Sequence, residues 1–269
     1  MSKLKQALEK AKKNRQEMER EESRSIESAE SRTGPITPSH DKPLKPVYSS
    51  TKVIECDADL LHRNRVVSVC TRDEADRLKI LRTQILNTMS EEGKNTLMIT
   101  SANPGEGKTL TAINLAISFS HQFNKTVLLV DGDIKKPTIH TYMGLDDGPG
   151  LADCLVDKNP ITDGLVNPGM DRIVIFRGGR PHTNSAELLG SEKMKALLKE
   201  MKERYPERFI IFDTSSVLTS ADPLVLANLV DGILLVVEAE NTKKEDVLKV
   251  LEMLKNKPII GTVFNKVID

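Results

Sequence analysis

Short apolar runs, each about the length of a β-strand, recur along the chain and limit most strongly what it can fold into. Most are apolar at successive positions, which is expected for strands of a parallel sheet that helices cover on both faces. In chain order they are TLMITS, TVLLVD, RIVIF, FIIFD, GILLVV and IIGTVF. We therefore predict an α/β domain with a doubly wound, mostly parallel sheet.

Helical patterns separate these runs. Residues 71–74 (TRDE) have the spacing of a capping box and open a periodic run of apolar residues that reaches Met89. Further helices are predicted over residues 110–123, 193–205, 222–229 and 244–255. The alternation of strands and helices is typical of a doubly wound α/β domain, with helices on both faces of the sheet.

Residues 1–50 differ in composition from the rest. The opening KLKQALEKAKKN carries apolar residues at helical spacing among many lysines, which predicts a short polar helix. We favour a solvated, fraying helix over the alternative, attraction to an anionic membrane surface. The following TGPITPSHDKPLKP predicts a proline-rich linker. Residues 1–50 are therefore assigned to a partly disordered segment and residues 51–269 to one domain.

The charge balance and the cysteines exclude some classes of protein. Lys plus Arg and Asp plus Glu both number 39, and 38% of the residues are hydrophobic. The hydrophobic share is large enough for a buried core. A nucleic-acid partner would require a surplus of basic residues, which this chain does not have. Cys56, Cys70 and Cys154 are spaced too widely for a disulfide framework or a zinc site. This use of cysteine fits a reducing compartment, so we expect a cytoplasmic protein. No apolar run approaches the about 20 residues of a membrane-spanning helix.

The stretch SANPGEGKT (residues 101–109) lies between a predicted strand and a predicted helix, which is the setting of a phosphate-binding loop. Gly105 and Gly107 allow backbone N–H groups to face phosphates at the helix N-terminus. Lys108 would reach the β and γ phosphates, and the Thr109 hydroxyl would bind Mg²⁺. The alternative, a glycine-rich turn with an exposed lysine, is disfavoured by the strand and the helix around it.

Three aspartates follow predicted strands at their carboxyl ends. Asp131 and Asp133 end VLLVDGD, and their spacing in extended chain places both side chains on the side where the phosphate loop opens. Asp213 ends FIIFD, the usual second signature of an NTPase. Carboxylates at this edge can hold Mg²⁺ and its waters, or orient an attacking nucleophile. Turn formation is the alternative role for all three residues.

The order of these motifs resembles the bacterial tyrosine kinases of capsule and exopolysaccharide synthesis, within the deviant phosphate-loop ATPases that include septum-positioning and plasmid-partition proteins. The segments that carry the resemblance are TSANPGEGKT, LLVDGDIKKP, GGRPHTNSAELLGSEKM, FIIFDTSS, DGILLVVEAENT and GTVFNK. They span about three quarters of the chain, from about Val66 onward.

The resemblance implies a Mg²⁺-ATP site and assigns its residues. The catalytic residues would be Lys108, Asp131 and Asp133, and the metal ligands Thr109, Asp131 and Asp213. The residues that contact the nucleotide would be Asn103, Pro104, Gly105, Glu106, Gly107, Lys108, Thr109, Leu110 and Asn265. Of these, Asn265 matches a residue of the family that contacts the base.

The resemblance also implies partners. Asp76, Lys79 and Arg82 have the spacing of the Glu-x-x-Arg-x-x-Arg motif through which the kinases self-associate, so a homo-oligomer is one interpretation and a solvated helix face the other. A transmembrane polysaccharide co-polymerase, or chain-length regulator, is the expected partner. It would hold the protein at the inner face of the membrane.

Several positions depart from the family. Asn103 replaces the lysine that partition and septum-site ATPases carry, which disfavours those relatives. Ser215 and Ser216 replace the two prolines that usually follow the kinase Asp-Thr. The kinases normally carry a C-terminal cluster of tyrosines, whereas this sequence has Tyr48, Tyr142 and Tyr205 only. Tyr48, in the predicted linker, is the best candidate acceptor.

These features together predict ATP-dependent phosphoryl transfer that regulates exopolysaccharide or capsule synthesis and export. The acceptor is left open between tyrosine and water. An alternative from another class is a nucleotide switch that hydrolyses ATP slowly and docks on the chain-length regulator. A partition-type ATPase is the poorer alternative, because of Asn103 and the zero net charge.

Overall fold

Eight strands form one sheet in the described part of the computed structural model, which comprises residues 51–66, 72–89, 93–122, 125–157, 159–205 and 207–267. The strands are β1 (Lys52–Val53), β2 (Thr96–Ser101), β3 (Thr126–Asp131), β4 (Leu165–Asn167), β5 (Ile173–Phe176), β6 (Arg208–Asp213), β7 (Gly232–Glu238) and β8 (Ile259–Asn265). Their order is β1-β4-β5-β3-β6-β2-β7-β8, and all neighbours are parallel except β4 and β5. The predicted mostly parallel sheet is confirmed.

Helices connect the strands. They are α1 (Ala58–Arg63), α2 (Arg72–Thr88), α3 (Lys108–Ser120), α4 (Ile139–Met143), α5 (Leu151–Asp157), α6 (Ile161–Gly164), α7 (Ser185–Leu189), α8 (Glu192–Glu203), α9 (Asp222–Leu226) and α10 (Lys244–Met253). Among these helices, none combines the length and the apolar character that crossing a membrane requires. The polar helix and the linker predicted before residue 51 lie outside the described residues, as does Thr71 of the capping box.

Five of the six predicted apolar strands bury both of their faces, as expected for a sheet between two layers of helices; they are β2, β3, β5, β6 and β7. The sixth, β8, lies at the edge of the sheet and is only partly buried, with Phe264 67% exposed. In β2, Met98 belongs to one hydrophobic cluster while Leu97 and Ile99 belong to another. In β3, Leu128 packs in the first cluster and Leu129 in the second. Because successive side chains of a strand point to opposite faces, the two clusters are the cores above and below the sheet.

One helix ends earlier in the structure than predicted, and several short strands and helices were not predicted. The helix predicted over 222–229 ends at Leu226, because the next bonds, from Asn228 N to Val225 O and from Leu229 N to Leu226 O, span three residues and tighten the chain. The short strands β1 and β4 were missed, since two or three residues are too few to show a hydrophobic period. Five helices of seven residues or fewer, α1 and α4 to α7, were missed for the same reason.

At the amino ends of the central strands, one carboxylate holds three elements together. Asp231, which precedes β7, accepts hydrogen bonds from the backbone N–H groups of Asn95 (3.1 Å) and Thr96 (3.0 Å) at the start of β2. Lys202 of α8 donates to the same carboxylate oxygen at 2.9 Å. The Asp231 carboxylate therefore joins β2 and α8 to the segment that enters β7.

At the opposite, carboxyl ends, the sheet order brings the predicted motifs together. Strand β6 lies between β3 and β2, and Asp131 of β3 pairs in register with Asp213 of β6. On the other side of β6, Asp213 pairs with Ile99 of β2, just before the predicted phosphate loop. The three motifs, far apart in sequence, therefore meet at one edge of the sheet.

Candidate active site

The predicted phosphate loop connects β2 to α3 and depends on two glycines. Gly105 and Gly107 have φ angles of 86° and 92°, which favour glycine. A Cβ atom at Gly107 would lie 2.0 Å from Nδ2 of Asn265, so a side chain is also excluded by contact. The first hydrogen bond within α3 runs from Thr111 N to Gly107 O (2.9 Å), so the preceding N–H groups have no acceptor within the helix. These groups form an anion-binding helix terminus.

The buried side chain of Glu106 stabilises the loop through two hydrogen bonds. Its side chain is buried, with only 2% of its surface exposed. Oε2 accepts the backbone N–H of Ala102 across the loop at 2.9 Å, and Oε1 accepts the Thr242 hydroxyl at 2.6 Å. The sequence assigned Glu106 to nucleotide contact, but its side chain fastens the loop to the segment after β7. The role of Thr242 was not predicted, because no local pattern marks it.

The end of β8 also holds the loop. Asn265 donates from Nδ2 to the carbonyl oxygen of Glu106 at 2.8 Å, and Lys266 donates to the carbonyl oxygen of Gly105 at 2.9 Å. Lys266 also pairs with Glu238, the last residue of β7, at 3.0 Å. The loop is therefore fixed by residues that follow β7 and β8.

Asn103 and Pro104 form the outer part of the loop. Asn103 donates from Nδ2 to the Asp246 carboxylate of α10 at 3.3 Å, and Pro104 is exposed. The asparagine that replaces the lysine of partition ATPases therefore contacts this chain's own helix.

Two fully buried carboxylates stand side by side next to the loop. Asp131 and Asp213 are both 0% exposed. Asp131 Oδ2 accepts the backbone N–H groups of Thr138 and Ile139, both at 2.9 Å, at the start of α4. Its Oδ1 and both carboxylate oxygens of Asp213 are buried and have no hydrogen-bond partner among the described residues. These three oxygen atoms are available to a cation.

Burial and nearby carboxylate charges keep these carboxylates from ionising at their usual pH. Burial, and to a smaller extent the neighbouring charge of Asp213, raise the pKa of Asp131 to about 8, against the two backbone N–H donors. Burial likewise raises the pKa of Asp213 to about 6, which the charge of Lys108 and the nearby Thr109 hydroxyl oppose. A positive charge bound beside these carboxylates would therefore favour their ionised form.

Asp133 and Lys108 are further charged residues of the site that contains Asp131 and Asp213. Asp133 is partly exposed, and the backbone N–H of Lys136 donates to its Oδ1 at 3.2 Å. Burial raises the pKa of Asp133, and the charge of Lys108 opposes this rise. Because Lys108 acts on both Asp133 and Asp213, its ammonium group lies within electrostatic range of both carboxylates.

The residues present fit a magnesium ion bound together with phosphates. Mg²⁺ in phosphate sites takes one or two carboxylates and leaves its other positions to phosphate oxygens and water. Asp213 and Asp131 offer unpartnered carboxylate oxygens, and Thr109 supplies a hydroxyl at the start of α3. Within the described residues no cluster of three or more His, Cys, Asp or Glu side chains forms a complete metal cage.

A further carboxylate near this site was not predicted. Asp222, the first residue of α9, is 0% exposed and accepts a hydrogen bond from the Ser185 hydroxyl at 2.8 Å. Its Oδ1 lies 3.7 Å from the Lys135 ammonium. The sequence marked Asp222 only as the start of a helix, because the contact with Ser185 joins residues that are 37 positions apart.

The residues expected in a self-association motif all lie on α2. Asp76 and Lys79 pair with each other at 2.7 Å on the exposed surface of the helix. Arg82 instead donates to the carbonyl oxygen of Ser118 near the end of α3, and burial lowers its pKa. Of the three side chains, Arg82 thus holds α2 against α3, and Asp76 and Lys79 remain exposed.

The tyrosines differ in their surroundings. Tyr142 is half-buried against a hydrophobic cluster. Tyr205 is 39% exposed, and the Arg208 guanidinium lies over its ring, 4.0 Å from the centroid. Tyr48 lies outside the described residues.

Comparison with known proteins places these observations in a family context. A profile of the CobQ/CobB/MinD/ParA nucleotide-binding domain matches residues 97–269, which include the loop and all three aspartates. The tyrosine-protein kinase YwqD of Bacillus subtilis (strain 168) is 37% identical over 194 residues, 71% of this chain and 80% of that protein.

Two solved structures agree with this match. The chimerical protein CapA2B2 superposes with a TM-score of 0.69 at 25% identity, covering 81% of this chain and 94% of that one. The kinase domain of the Escherichia coli tyrosine kinase ETK superposes with a TM-score of 0.66 at 26% identity, covering 72% and 78%.

The raised pKa of Asp131 predicts a pH effect on stability. Between pH 6 and 8 the folded, nucleotide-free protein retains a proton on Asp131 (pKa about 8) that the unfolded chain has lost. The free energy of unfolding should therefore fall as pH rises through this range, by about 2 kcal/mol. Asp131→Asn should remove most of this fall, as measured by urea unfolding at pH 6 and pH 8.

The exposed Asp171 offers a matched control, and Asp171→Asn should leave the wild-type dependence unchanged. An Asp131→Asn protein that loses as much stability between the two pH values as wild type would show that Asp131 titrates normally.

Proposed function

The chain belongs to the CobQ/CobB/MinD/ParA nucleotide-binding family and, within it, to the bacterial tyrosine-protein kinases, and we propose that it transfers the γ-phosphoryl group of Mg²⁺-ATP to tyrosine. The observation that carries this proposal is that the buried carboxylates of Asp131 and Asp213 lie side by side at the edge of the sheet where the glycine-rich loop and the helix that begins at Lys108 follow β2. Phosphoryl transfer requires mainly positioning and charge neutralisation, which this arrangement can supply.

The phosphate loop would bind the nucleotide phosphates. Backbone N–H groups from Gly105 to Leu110 would surround the phosphates, and Lys108 would neutralise their charge as transfer proceeds. Thr109, Asp213 and the free Oδ1 of Asp131 would hold Mg²⁺, which supplies charge neutralisation at the phosphate oxygens when bound. Glu106 supports this role indirectly, because it keeps the loop open for the phosphates.

A groove beside the loop would take the nucleobase. It has a volume of about 420 Å³ and is lined by Leu110, Thr111, Asn114, Asn265 and others. Asn265 reaches both this groove and the loop carbonyl of Glu106. It would therefore sense the base through its carboxamide oxygen while its amino group stays on the loop.

Asp133 is the better placed of the two catalytic aspartates to take the proton of the acceptor. Asp131 is completely buried and uses one oxygen to hold the start of α4. Asp133 is partly exposed, and its raised pKa favours proton uptake. We therefore assign Asp131 to metal and loop positioning and Asp133 to orientation of the acceptor hydroxyl.

The biological setting follows from the family resemblance. The protein would act in exopolysaccharide or capsule synthesis, bound to a transmembrane chain-length regulator at the inner face of the membrane. Self-association would use the exposed surface of α2 around Asp76 and Lys79, with Arg82 keeping that helix in place.

A nucleotide switch is the second candidate function. It is favoured because Tyr142 packs against a hydrophobic cluster and the Arg208 guanidinium lies over the ring of Tyr205, which disfavours both tyrosines as acceptors.

Removal of the Lys108 charge tests the proposed reaction. Purified protein with γ-labelled ATP and Mg²⁺ should transfer label to tyrosine residues of the protein. Lys108→Ala should reduce the rate of this transfer by a factor of about 100 or more, because the charge that neutralises the phosphates is removed. Lys195→Ala, on the exposed surface of α8, is the control and should retain full activity. Free phosphate without labelled protein would favour the switch, and a folded Lys108→Ala protein with wild-type turnover would contradict the phosphate-loop assignment.

The acceptor tyrosine can be identified separately. Tyr48 lies in a sequence whose prolines favour an extended linker, which could reach the site of a neighbouring subunit. Tyr48→Phe should therefore remove most of the phosphotyrosine signal and leave ATP binding unchanged. Tyr205→Phe, which keeps the ring that Arg208 covers, should have no effect. Mass spectrometry that located the phosphate on Tyr142 or Tyr205 would refute Tyr48 as the acceptor.

A further inference from the structure

Asp222 carries a buried negative charge that lacks a full set of partners. Its carboxylate is 0% exposed. Oδ1 accepts the Ser185 hydroxyl at 2.8 Å and lies 3.7 Å from the Lys135 ammonium. Oδ2 is buried and has no hydrogen-bond partner among the described residues. Such a carboxylate costs folding free energy unless other groups compensate it.

Asp222 stands at the first position of α9, where the helix dipole favours an acidic residue. Its carboxylate accepts from the Ser185 side chain rather than from a backbone N–H of the helix. The contacts of this side chain with Ser185 and Lys135 indicate a further use of the charge.

The position of Asp222 indicates what that use is. Ser185, Lys135 and Asp222 follow β5, β3 and β6, which are neighbours in the sheet and end at the edge that carries the candidate active site. Lys135 also donates to the Ser220 hydroxyl at 3.2 Å, so it contacts both the loop before α9 and the first residue of that helix.

Lys135 lies in a turn that begins at Asp133. The backbone N–H of Lys136 donates to the carbonyl oxygen of Asp133 at 3.0 Å and to its Oδ1 at 3.2 Å, which closes this turn. Lys135 and the carboxylate that we assign to the acceptor hydroxyl therefore belong to the same turn. Because 42% of the Lys135 side chain is exposed and its stem is long and flexible, it would turn toward solvent if nothing held it.

We propose that Asp222 is a positioning residue of the phosphoryl-transfer site, which holds the Lys135 ammonium beside Asp133. This inference rests on the proposed function of the site. Held there, Lys135 supplies a second positive charge on the side of Asp133, while Lys108 acts from the phosphate loop. The buried charge of Asp222 is then compensated by the lysine that it positions.

Asp222→Asn tests the inference, because it removes the charge but keeps an oxygen that can accept the Ser185 hydrogen bond. The kcat of phosphoryl transfer should fall about tenfold, and the KM for ATP should stay within about twofold. Asp231→Asn is the matched control, since Asp231 also pairs with a lysine, Lys202, but at the other end of the sheet. It should lower stability and leave kcat unchanged. A wild-type kcat in Asp222→Asn would overturn the proposal.

Combination with Lys135→Met separates positioning from a structural role. If Asp222 acts through Lys135, the double variant should be no slower than Lys135→Met alone. Losses of kcat that multiply in the double variant would show that Asp222 acts independently of Lys135, and would overturn the proposal.

A measurement without turnover keeps this test independent of the proposed function. Brief acetylation of the nucleotide-free protein, followed by mass spectrometry, compares modification of Lys135 with that of its exposed neighbour Lys136. Asp222→Asn should raise the ratio of Lys135 to Lys136 acetylation several-fold, because the ammonium is released. An unchanged ratio would overturn the positioning of Lys135, whereas absence of ATP turnover in wild type would overturn only the proposed function.

Discussion

The buried pair of Asp131 and Asp213 is the constraint on which the rest of the site depends. The parallel register of β3 and β6 places the two carboxylates directly beside each other, with no exposed surface on either. Two negative charges cannot be buried together unless a proton or a cation compensates them. In the free protein, protonation of Asp131 meets this need, and in the working protein Lys108 and a metal ion would meet it. Affinity for a charged ligand therefore follows from the register of the sheet.

The phosphate loop is the second part of the arrangement, and residues distant in sequence keep it in shape. Glu106 binds the Ala102 N–H and the Thr242 hydroxyl, and Asn265 and Lys266 bind loop carbonyl groups. The loop is therefore held from within and from the ends of β7 and β8. A preformed loop lowers the cost of ordering the site when the nucleotide binds.

Local sequence patterns predicted the parts of the fold and site that have local causes. The apolar runs predicted six strands. Five of them are buried on both faces, which is why they are apolar throughout, whereas β8 lies at the edge of the sheet and is partly exposed. The glycines, Lys108 and the strand-terminal aspartates were recognisable because each follows a strand at a fixed distance. The contacts of Glu106 with Thr242 and of Ser185 with Asp222 could not be predicted, because they depend on how loops after different strands meet. The contact of Arg82 could not be predicted either. Its spacing indicated a self-association interface, whereas its guanidinium binds the carbonyl oxygen of Ser118 in α3.

Proton release on nucleotide binding tests the central claim most directly. Calorimetry of Mg²⁺-ADP binding at pH 7, in buffers with different ionisation enthalpies, counts the protons exchanged. Because the pKa of Asp131 is about 8 in the free protein, binding of the metal and nucleotide should release close to one proton per site. Asp131→Asn should abolish the release. Mg²⁺-ADP binding without proton release in wild type would contradict the account, because the buried carboxylates would then already be ionised.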